Sequence, residues 1–585
     1  MKQNFPIRIL LAAAILLLST SCGTRRSQPG SVRTRWVHDP ETLDPLLLPN
    51  QSAIDADYLL HVGLLQADYN THSFAPALAE ALPSVQLIGD SLMNLGYSLR
   101  PAATWDNGQP VRPADVEFTL KLMFCPGLPN ETARNQYRFI RAVHTNPKAP
   151  RQFTMVCQGQ AVEHAQASGD FFILSEAALD PRGQLRRFTL AQLQHWPATT
   201  PPDSELQAVT RRYQAGVAPL APRQLPGCGP YQLVKWEKDR YLRFRRKPQW
   251  WGDRVRPTPF VLQARPRQLD YLIIPDAATA TLALRRGDLD VYPQMPARDF
   301  ARLRASPTAR AELSFYSTPS HNVVTAGFNT RRPALADALT RRALSQCFDA
   351  AGLLQATQQG AGQRTVGLIS PSDHANYNDS LAFLPFDPNG AAALLRQAGW
   401  QRTTGKGWFR RKAPAPRQQL RLLMRYRSDE ETFATVALQF QATTAGLDIP
   451  VTLQPTEAGA LSTALRAGDF DLYVRVLRGN PFMFNFTPLL HTQGVTESNS
   501  TGFSTPASDR LIEAIAAANS KTERARLLRR FQALLQREAP LVPLFFLPNY
   551  IVASNKLQGL RVSSLKPGYS LMGVGPRRPS PTPAP

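Results

Sequence analysis

One short pattern occurs twice in this chain, and it is typical of folds in which helices alternate with strands. Residues 281–286 and 460–467 have the apolar spacing of helices. The first stretch is followed directly by Gly287 and the second by Gly468. Aspartates follow each glycine at one and three positions, and an apolar, strand-like run begins next. Glycine is the residue that most often ends a helix in the left-handed conformation. We therefore expect an α/β or α+β fold, with paired crossover units in a ligand-binding lobe.

Residues 240–246 (RYLRFRR) combine basic and aromatic side chains, as a nucleic-acid-binding patch would. However, the basic and aromatic residues Tyr241, Arg243 and Arg245 alternate with the apolar Leu242 and Phe244. A period of two is the pattern of a half-buried strand, so we predict a strand here.

A helix with a defined start and end is predicted near the C-terminus. Ser520 and Glu523 have the spacing of a capping box, and an apolar helix face follows them. Pro540 and Pro543 are expected to end this helix, and the apolar run 541–547 then predicts a buried strand.

The chain is strongly basic. Lysine and arginine number 67 against 44 aspartates and glutamates, which gives a net charge of +23. Such a charge is compatible with nucleic acid, anionic lipid or an acidic ligand as partner. Because the excess is mostly arginine scattered along the chain, a generally basic surface is favoured over a dedicated polyanion site.

Residues 1–21 have the pattern of an export signal. A short basic start precedes ten apolar residues, Ile9 to Leu18, which are too few to span a membrane. The small residues before Cys22 resemble a lipobox, although Ser19 stands where leucine is usual. We expect cleavage at this point and lipid on Cys22, with an ordinary signal peptide as the alternative. Because an exported protein rarely meets DNA, no nucleic-acid partner is expected.

Four further cysteines, Cys125, Cys157, Cys228 and Cys347, can form disulfides outside the cytoplasm. A bond between Cys125 and Cys157 would close a local loop, but the sequence leaves the pairing open. Neither a Cys-x-x-Cys motif nor a cysteine–histidine spacing indicates zinc, so no metal or cofactor is expected.

Seven groups of residues, in order over about 500 residues, resemble one family. They are Leu43-Asp44-Pro45; Pro76-Ala77-Leu78-Ala79-Glu80; Trp105-Asp106-Asn107-Gly108 with Pro113-Ala114-Asp115-Val116; Gly227-Cys228-Gly229-Pro230-Tyr231 with Trp236 and Trp250-Trp251-Gly252; Arg341-Arg342-Ala343-Leu344; Phe386-Asp387-Pro388 with 394–399; and Asn499, Gly502-Phe503 and Asp509 with 540–544. Each group alone is weak, but their order is specific. On these residues the chain resembles the extracellular solute-binding proteins of the oligopeptide, dipeptide and nickel family, which serve ABC importers.

The resemblance implies a bilobal α/β fold whose two lobes, joined by hinge strands, close on a ligand in the cleft between them. It implies a monomer that delivers peptides, or a similar small solute, to a membrane permease driven by a separate ATPase. The expected organisation is a signal peptide (1–21), a tether (22–35), lobe I (36–50, 190–265 and 505–575), a domain inserted into lobe I (51–189), lobe II (266–504) and a disordered tail (576–585).

The resemblance also places the ligand site. In peptide-binding members, an aspartate after the second repeated strand pairs with the α-ammonium of the peptide, beside a tryptophan. Asn480 and Leu477 stand at these positions here, and Arg478 lies close by. A neutral amide cannot neutralise a buried ammonium, so recognition of a free amino terminus is in doubt and an anionic or blocked ligand is favoured. A misalignment by one or two residues is the alternative.

Other residues are weaker candidates for the site. His321 and Asn322 precede a strand-like run and can face the cleft, with a surface turn as the alternative. Arg427, beside Arg425 and Tyr426, can bind a carboxylate, although a solvated strand end is the simpler interpretation. A nickel chelate bound through one histidine, His491 or His374, is left open.

An enzyme is not expected, because the chain has no Gly-x-Ser-x-Gly elbow, no His-Glu-x-x-His motif and no Walker loop. The form that an enzyme would take is an exported hydrolase. A second alternative keeps the fold and replaces the importer by a sensor, to which the protein would present its ligand.

Overall fold

The computed structural model describes residues 30–197, 199–218, 225–411, 417–495 and 498–577. The predicted signal peptide, Cys22, most of the tether and nearly all of the tail lie outside these residues. Among the helices of the described residues, none has the length and hydropathy needed to cross a membrane.

The described residues form 24 strands. Six of these strands have seven or more residues, and four of the six belong to one central sheet. In chain order the strands are β1 (Ser31–Trp36), β2 (Leu65–Asp68), β3 (Ser73–Pro76), β4 (Ser84–Ile88), β5 (Leu92–Ser98), β6 (Ile140–Thr145), β7 (Gln152–Gln158), β8 (Tyr231–Glu237), β9 (Tyr241–Arg246), β10 (Gln268–Ile273), β11 (Val291–Pro293), β12 (Leu313–Phe328), β13 (Gln363–Arg364), β14 (Gln401–Thr403), β15 (Gly407–Arg410), β16 (Gln418–Gln419), β17 (Leu422–Arg427), β18 (Val451–Thr456), β19 (Leu472–Arg478), β20 (Leu541–Ser554), β21 (Leu557–Gln558), β22 (Arg561–Val562), β23 (Tyr569–Ser570) and β24 (Gly575–Pro576).

The same residues form 18 α-helices and four short 3₁₀ turns. The helices are α1 (Gln51–Leu60), α2 (Pro113–Met123), α3 (Glu131–Tyr137), α4 (His164–Ala167), α5 (Glu176–Leu179), α6 (Leu190–Gln194), α7 (Ser204–Gly216), α8 (Ala277–Arg286), α9 (Ala297–Ala305), α10 (Pro307–Glu312), α11 (Ala338–Ser345), α12 (Ala350–Gln358), α13 (Pro388–Gln397), α14 (Glu431–Ala445), α15 (Ala458–Ala467), α16 (Thr487–Leu490), α17 (Pro506–Ala517) and α18 (Lys521–Glu538).

The central sheet runs through both halves of the molecule. Its 11 strands lie in the order β18-β17-β19-β12-β20-β11-β1-β10-β9-β8, with β13 paired to β20 off this path. The strands β12 and β20, of 16 and 14 residues, pair with each other in antiparallel fashion. Strands β17 to β19 lie on one side of this pair, and β1, β8 to β11 lie on the other. The long pair is therefore the connection between the two halves, which confirms the predicted α/β architecture.

The pairing of the two long strands is interrupted near its middle. Pro319 and Pro548 face each other in the ladder, and the register shifts between Pro319 and Val323. Because proline has no backbone N–H to donate, this part of the ladder is weaker than the rest. We expect the two halves to bend relative to each other here.

Each half has its own hydrophobic core. The first core includes Trp36, Tyr231 and Phe244 and extends without a break into residues of the small sheet β4-β5-β7-β6. The second core lies under β12, β17 and β19 and includes Trp400 and Phe440. The boundaries of the predicted lobes and of the inserted domain stay predictions.

Both copies of the repeated pattern are a helix, a left-handed glycine and a strand. Helices α8 and α15 end at Gly287 and Gly468, whose φ angles are +75° and +71°. In each copy the second aspartate then binds the backbone of a neighbouring strand. The Arg33 amide N–H donates to Asp290, and the Leu423 amide N–H donates to Asp471, both at 2.8 Å. The strands that follow, β11 and β19, lie on opposite sides of the long pair. The repeat thus marks one equivalent position in each half.

The other local predictions are confirmed. Residues Tyr241–Arg246 are a strand whose Leu242 and Phe244 are fully buried. Ser520 caps α18 by accepting the amide N–H of Glu523 at 3.2 Å, which is one of the two hydrogen bonds of the predicted capping box, and the helix ends at Glu538, before Pro540. Pro543 lies inside the buried strand β20 that follows.

Cys125, Cys157, Cys228 and Cys347 are all free and buried. The local Cys125–Cys157 disulfide considered from the sequence is therefore not formed. Burial raises the pKa of each of these thiols to about 12, so they are unreactive at neutral pH.

Candidate functional site

Loops from the two halves meet at the carboxyl ends of parallel strands. β1 runs parallel to β10 and β11, and β17 runs parallel to β18 and β19. Ligands of open α/β sheets bind outside such strand ends, where the loops converge. The halves are in contact where the Phe484 amide N–H, after β19, donates to Glu163 Oε1 at 3.3 Å, and where the rings of Phe74 and Phe482 lie 4.5 Å apart.

A cavity of about 500 Å³ opens at this junction. We call it the larger cavity, and its volume falls in the usual range for small-ligand sites, about 300–1,000 Å³. Its walls come from the long strands β12 and β20, the end of β19, the loops 368–373 and 479–489, Ser498, and helix α3 of the predicted inserted domain. The larger cavity is thus bordered by segments far apart in sequence.

Four of the six predicted ligand-binding residues line the larger cavity: His321, Leu477, Arg478 and Asn480. Gly479, between two of them, donates its amide N–H to the carbonyl of His321 at 2.7 Å and so holds β19 against β12. A Cβ at Gly479 would lie 2.8 Å from that carbonyl oxygen, so this close approach requires glycine. Burial lowers the pKa of His321, with Asp373 opposing the shift, so its ring is neutral at pH 7.

The other two predicted residues are not part of this wall. Asn322 pairs with Arg478 across β12 and β19, and its side-chain oxygen is buried without a hydrogen-bond partner among the described residues. Arg427 is bound to Asp429 through Nε at 3.0 Å and through Nη2, an ion pair that raises the pKa of Arg427. Its guanidinium therefore already has a carboxylate partner within the protein.

The side chain of Asn480 stabilises a local turn. Its side-chain oxygen accepts the amide N–H of Phe482 at 2.9 Å, which forms a turn just after β19. The side-chain NH₂ group is left as the polar end available to a ligand. It is a donor, so it suits a carbonyl or carboxylate oxygen better than an ammonium group.

The sequence-based reasoning missed Lys566 and the residues of α3. A smaller cavity of about 140 Å³ lies in the first half, and Lys566 lines it together with tyrosines of α1, β10 and β23. The residue as a whole is exposed, yet the surrounding protein removes enough water from the ammonium to lower its pKa to about 8, and the charge of Arg478 contributes to this shift. The segment Leu565-Lys566-Pro567-Gly568 gave no signal beyond that of a turn. Likewise, Thr132, Asn135 and Gln136 belong to an unremarkable polar helix.

An acidic side chain lies in the wall of the smaller cavity. Asp55 accepts a hydrogen bond from Gln51 Nε2 at 2.8 Å, and burial raises its pKa to about 7. Tyr58, Tyr69 and Tyr271 surround it in the same wall.

The histidines considered for a nickel chelate do not line the larger cavity. His491 is 4% exposed, with Nε2 3.3 Å from Glu513 and Nδ1 accepting the Gln493 amide N–H. The His374 carbonyl accepts from Arg529, and this residue also lies outside the cavity wall. Across the part of the chain that the structure describes, no cluster of three or more His, Cys, Asp or Glu residues could hold a metal ion.

Residues 74–496, more than half of the chain, match the middle region of the bacterial extracellular solute-binding proteins, family 5. The chain belongs to this family. Heme-binding protein A of Haemophilus influenzae is 25% identical over 342 residues, which are 57% of this chain and 56% of that relative. The family 5 chain thus matches little more than half of that relative's length.

Solved structures share the fold of this family 5 protein. The oligopeptide-binding protein AppA of Bacillus subtilis, solved in complex with a nonapeptide, superposes with a TM-score of 0.71 at 17% identity, over 94% of this chain and 100% of AppA. NikA of Brucella suis, solved in complex with Fe(III)-EDTA, gives 0.73 at 18% identity, over 94% and 100%. Since both are bilobal binding proteins, the likeness confirms the bilobal fold.

Proposed function

We propose that this protein is the substrate-binding component of an ABC importer, and that it captures peptides or a similar small solute in the larger cavity. The two halves close on the ligand, and the closed complex docks on a membrane permease whose separate ATPase supplies the energy. The protein acts as a monomer in the cell envelope, held at a membrane by lipid on Cys22.

The observation that carries this proposal is the position of the larger cavity. Its walls combine β12, one of the two strands that join the halves, with the end of β19 and with α3 from beyond the hinge. A ligand there contacts both sides of the weakened ladder at Pro319 and Pro548. Because a ligand shifts an equilibrium only through its different affinity for the two states, contacts on both sides are what closure requires.

Membership of family 5 supports the same function, and so do the ligands of similar proteins. One structural neighbour was solved with a nonapeptide and another with a carboxylate chelate. We propose Asn480, Arg478, Leu477 and His321 as ligand-binding residues, because they lie together on the cavity wall. Asn322, which pairs with Arg478, is proposed to support this wall from behind, whereas a ligand-binding role for Arg427 would require its ion pair with Asp429 to open.

Mass spectrometry of the small molecules released from the purified protein by mild denaturation tests the proposal. We expect a mixed set of short peptides, because a cavity of this size takes a short peptide segment. A single non-peptide species would keep the binding function and replace the substrate class. If the protein carries no ligand and a thermal-shift screen of peptides and chelates finds none that stabilises it, the proposed importer function is wrong.

A further inference from the structure

Residues 245–267 carry an excess of basic charge beside the start of β1. Seven of these residues are lysine or arginine, and Asp253 is the one acid. Two of the seven are bound to carboxylates: Arg246 Nη2 lies 2.6 Å from Asp253, and Lys247 pairs with Asp106. The remaining five are exposed and form no ion pair with any described residue: Arg245, Arg254, Arg256, Arg265 and Arg267.

Backbone hydrogen bonds hold this segment around Gly30, the residue before β1. The Arg267 amide N–H donates to the Gly30 carbonyl at 2.9 Å, and the Arg246 amide N–H donates to the Arg267 carbonyl at 3.0 Å. Arg245 pairs across β9 and β10 with Gln268, the residue after Arg267. A Cβ at Gly30 would lie 3.3 Å from Cδ of Arg267, so this side chain runs along Gly30. Arg245 and Arg267 therefore flank the start of β1.

A third arginine reaches the same surface from the segment before β10. The Arg265 amide N–H donates to the Met572 carbonyl at 2.8 Å. Pro266, between Arg265 and Arg267, is buried, so both arginines project to the outer side of the chain. We call the surface formed by Arg245, Arg265 and Arg267 the entry face. Within the described residues, its three guanidinium groups form no hydrogen bond.

The strands under the entry face leave no free carboxylate to neutralise it. The strands β1 and β8 to β10 contain two acids, Asp270 and Glu237. Asp270 is bound to Arg243, with Nε and Oδ1 2.8 Å apart. Glu237 is bound to Lys235 at 3.0 Å and to Arg240. The positive charge of the entry face is therefore available to an external anionic partner.

The entry face also lies close to the proposed membrane anchor. Gly30 follows Cys22 by eight residues. Since a fully extended chain spans at most about 3.5 Å per residue, lipid on Cys22 would keep Gly30 within roughly 28 Å of the membrane. From Gly30, β1 runs parallel to β10 and β11 toward the cleft. The entry face is thus at the end of these strands away from the larger cavity, and a partner there would leave the cavity open.

Anionic phospholipid is the partner that fits both the charge and the position. A membrane with anionic lipids attracts nearby arginines, and a lipid anchor combined with a basic surface binds more firmly than the anchor alone. This attraction reaches only about 8–10 Å at physiological salt, so it acts on a face that the anchor has already brought to the membrane.

We propose that the entry face docks on anionic lipid headgroups and so holds the protein against the membrane by the start of β1, with the ligand cleft at the other end of the strands. This inference rests on the lipid anchor in the proposed function and adds a second, electrostatic contact with the membrane.

Cosedimentation with lipid vesicles tests the entry face. The protein is residues 23–585, which keep every described residue but lack Cys22, so that binding does not depend on a lipid anchor. The vesicles contain phosphatidylcholine alone or a mixture with phosphatidylglycerol. At about 50 mM salt we expect at least tenfold tighter binding to the anionic vesicles, and at about 300 mM this preference should disappear because salt screens exposed charges.

Combining Arg245→Gln, Arg265→Gln and Arg267→Gln should weaken binding to the anionic vesicles at least tenfold, since each removed charge lowers the attraction to the surface. Arg→Lys at the same three positions should retain the binding, because lysine keeps the charge. Loss of binding in the lysine variant as well would show that the charge of the entry face is not what binds the vesicles.

The matched control removes the same charge from another basic surface. Arg411, Arg417 and Arg421 are exposed, lie beside β15 and β16 in the other half, and form no ion pair with described residues. Combining Arg411→Gln, Arg417→Gln and Arg421→Gln should leave the affinity for anionic vesicles within about threefold of the unmodified protein. Equal losses in the two glutamine variants would show that net charge binds the vesicles, and the entry face would be wrong.

The remaining outcomes separate the entry face from the importer function. If the unmodified protein shows no preference for anionic vesicles at low salt, the entry face is wrong while the importer function stands, because no ligand takes part in this experiment. If polyglutamate displaces the protein from vesicles at an equal concentration of charge, the surface binds polyanions in general and its assignment to lipid is wrong. Failure to find a ligand for the larger cavity would overturn the importer function and leave the vesicle result unchanged.

Discussion

Asn480 and an aspartate at the same position would make the same turn but offer different charges to a ligand. The oxygen that accepts from the Phe482 amide is present in both side chains. Asparagine adds an NH₂ donor on the cavity wall, whereas aspartate would add a negative charge beside Arg478. The choice of amide or acid at this residue therefore acts on ligand preference rather than on the fold.

Asn480→Asp is expected to raise the affinity for peptides with a free amino terminus about tenfold, because a charged hydrogen bond to an ammonium is stronger than a neutral one. Trialanine amide, compared with its acetylated form by calorimetry, measures this gain. Asn146→Asp is the matched control, since Asn146 also accepts the amide N–H two residues on, at 3.0 Å, in an exposed turn away from the cavity. An unchanged affinity in Asn480→Asp would show that this residue does not meet the ligand's amino group.

At the scale of single residues, the sequence pointed to some residues of the cavity walls and not to others. Leu477 and Arg478 end a recognisable strand, Asn480 lies just after it, and the family resemblance marks these positions; all three line the larger cavity, and their role in binding stays a prediction. Arg427 was chosen for its charge alone, and its pairing with Asp429, two residues on, could not be judged without side-chain geometry. Lys566 was missed because its place in the wall of the smaller cavity depends on residues of α1 and β10, far earlier in the chain.

At the scale of elements, each of the two helix–glycine–strand units is hydrogen-bonded to a neighbouring strand in its half of the sheet. Asp290 accepts the Arg33 backbone N–H and also binds its guanidinium, with Nη2 and Oδ1 2.8 Å apart. Asp471 likewise accepts the backbone N–H of Leu423. In each unit the glycine lets the chain leave the helix in the direction that brings the aspartate to its neighbouring strand.

Gly287→Ala should lower the free energy of unfolding by about 1 kcal/mol, because φ is +75° there and a Cβ disfavours the left-handed region. A Cβ at this position would meet no atom within 4 Å, so the backbone conformation accounts for the whole cost. Guanidinium chloride unfolding, followed by tryptophan fluorescence, measures the change.

Gly216→Ala is the control for this substitution. Gly216 is the last residue of α7, is not among the positive-φ glycines, and has only ordinary contacts, the nearest at 3.7 Å. Alanine there should be neutral or stabilising by about 0.5 kcal/mol. Equal losses in both variants would contradict the conformational explanation at Gly287.

At the scale of the whole molecule, the proposed hinge and the proposed membrane anchor would determine how the protein works. The sheet is continuous across both halves, so the proposed closure would bend one ladder at Pro319 and Pro548 instead of separating two domains. The proposed anchor is lipid on Cys22, which lies outside the described residues.

Cys22→Ser should release the protein into the soluble fraction, because serine cannot carry the thioether-linked lipid that the lipobox resemblance implies. Fractionation of cells after a high-salt wash measures this, since the wash removes attachment that depends only on basic charge. Ser21→Ala keeps a small residue before the cysteine and should stay with the membrane. Retention of Cys22→Ser on washed membranes would show that no lipid on this cysteine is needed.

Local structure was predictable because its causes lie within a few residues of one another. The alternation at 241–246, the cap at Ser520 and the glycine ends of α8 and α15 are each decided by side chains within one or two turns, and the structure confirms all of them. The two-lobed fold could be named because these elements follow one another in the family's order.

The tertiary structure alone decided which of these elements meet at the cleft. Strand order places β19 beside β12, and so brings Arg478 to His321 and to the hinge. The folding of the C-terminal segment back onto Thr318 and Asn549 brings the loop of Lys566 to the smaller cavity. No local pattern records such neighbours, because the distance between side chains from different segments is set by the packing of the whole sheet. The charge of the cleft is therefore a property of the fold.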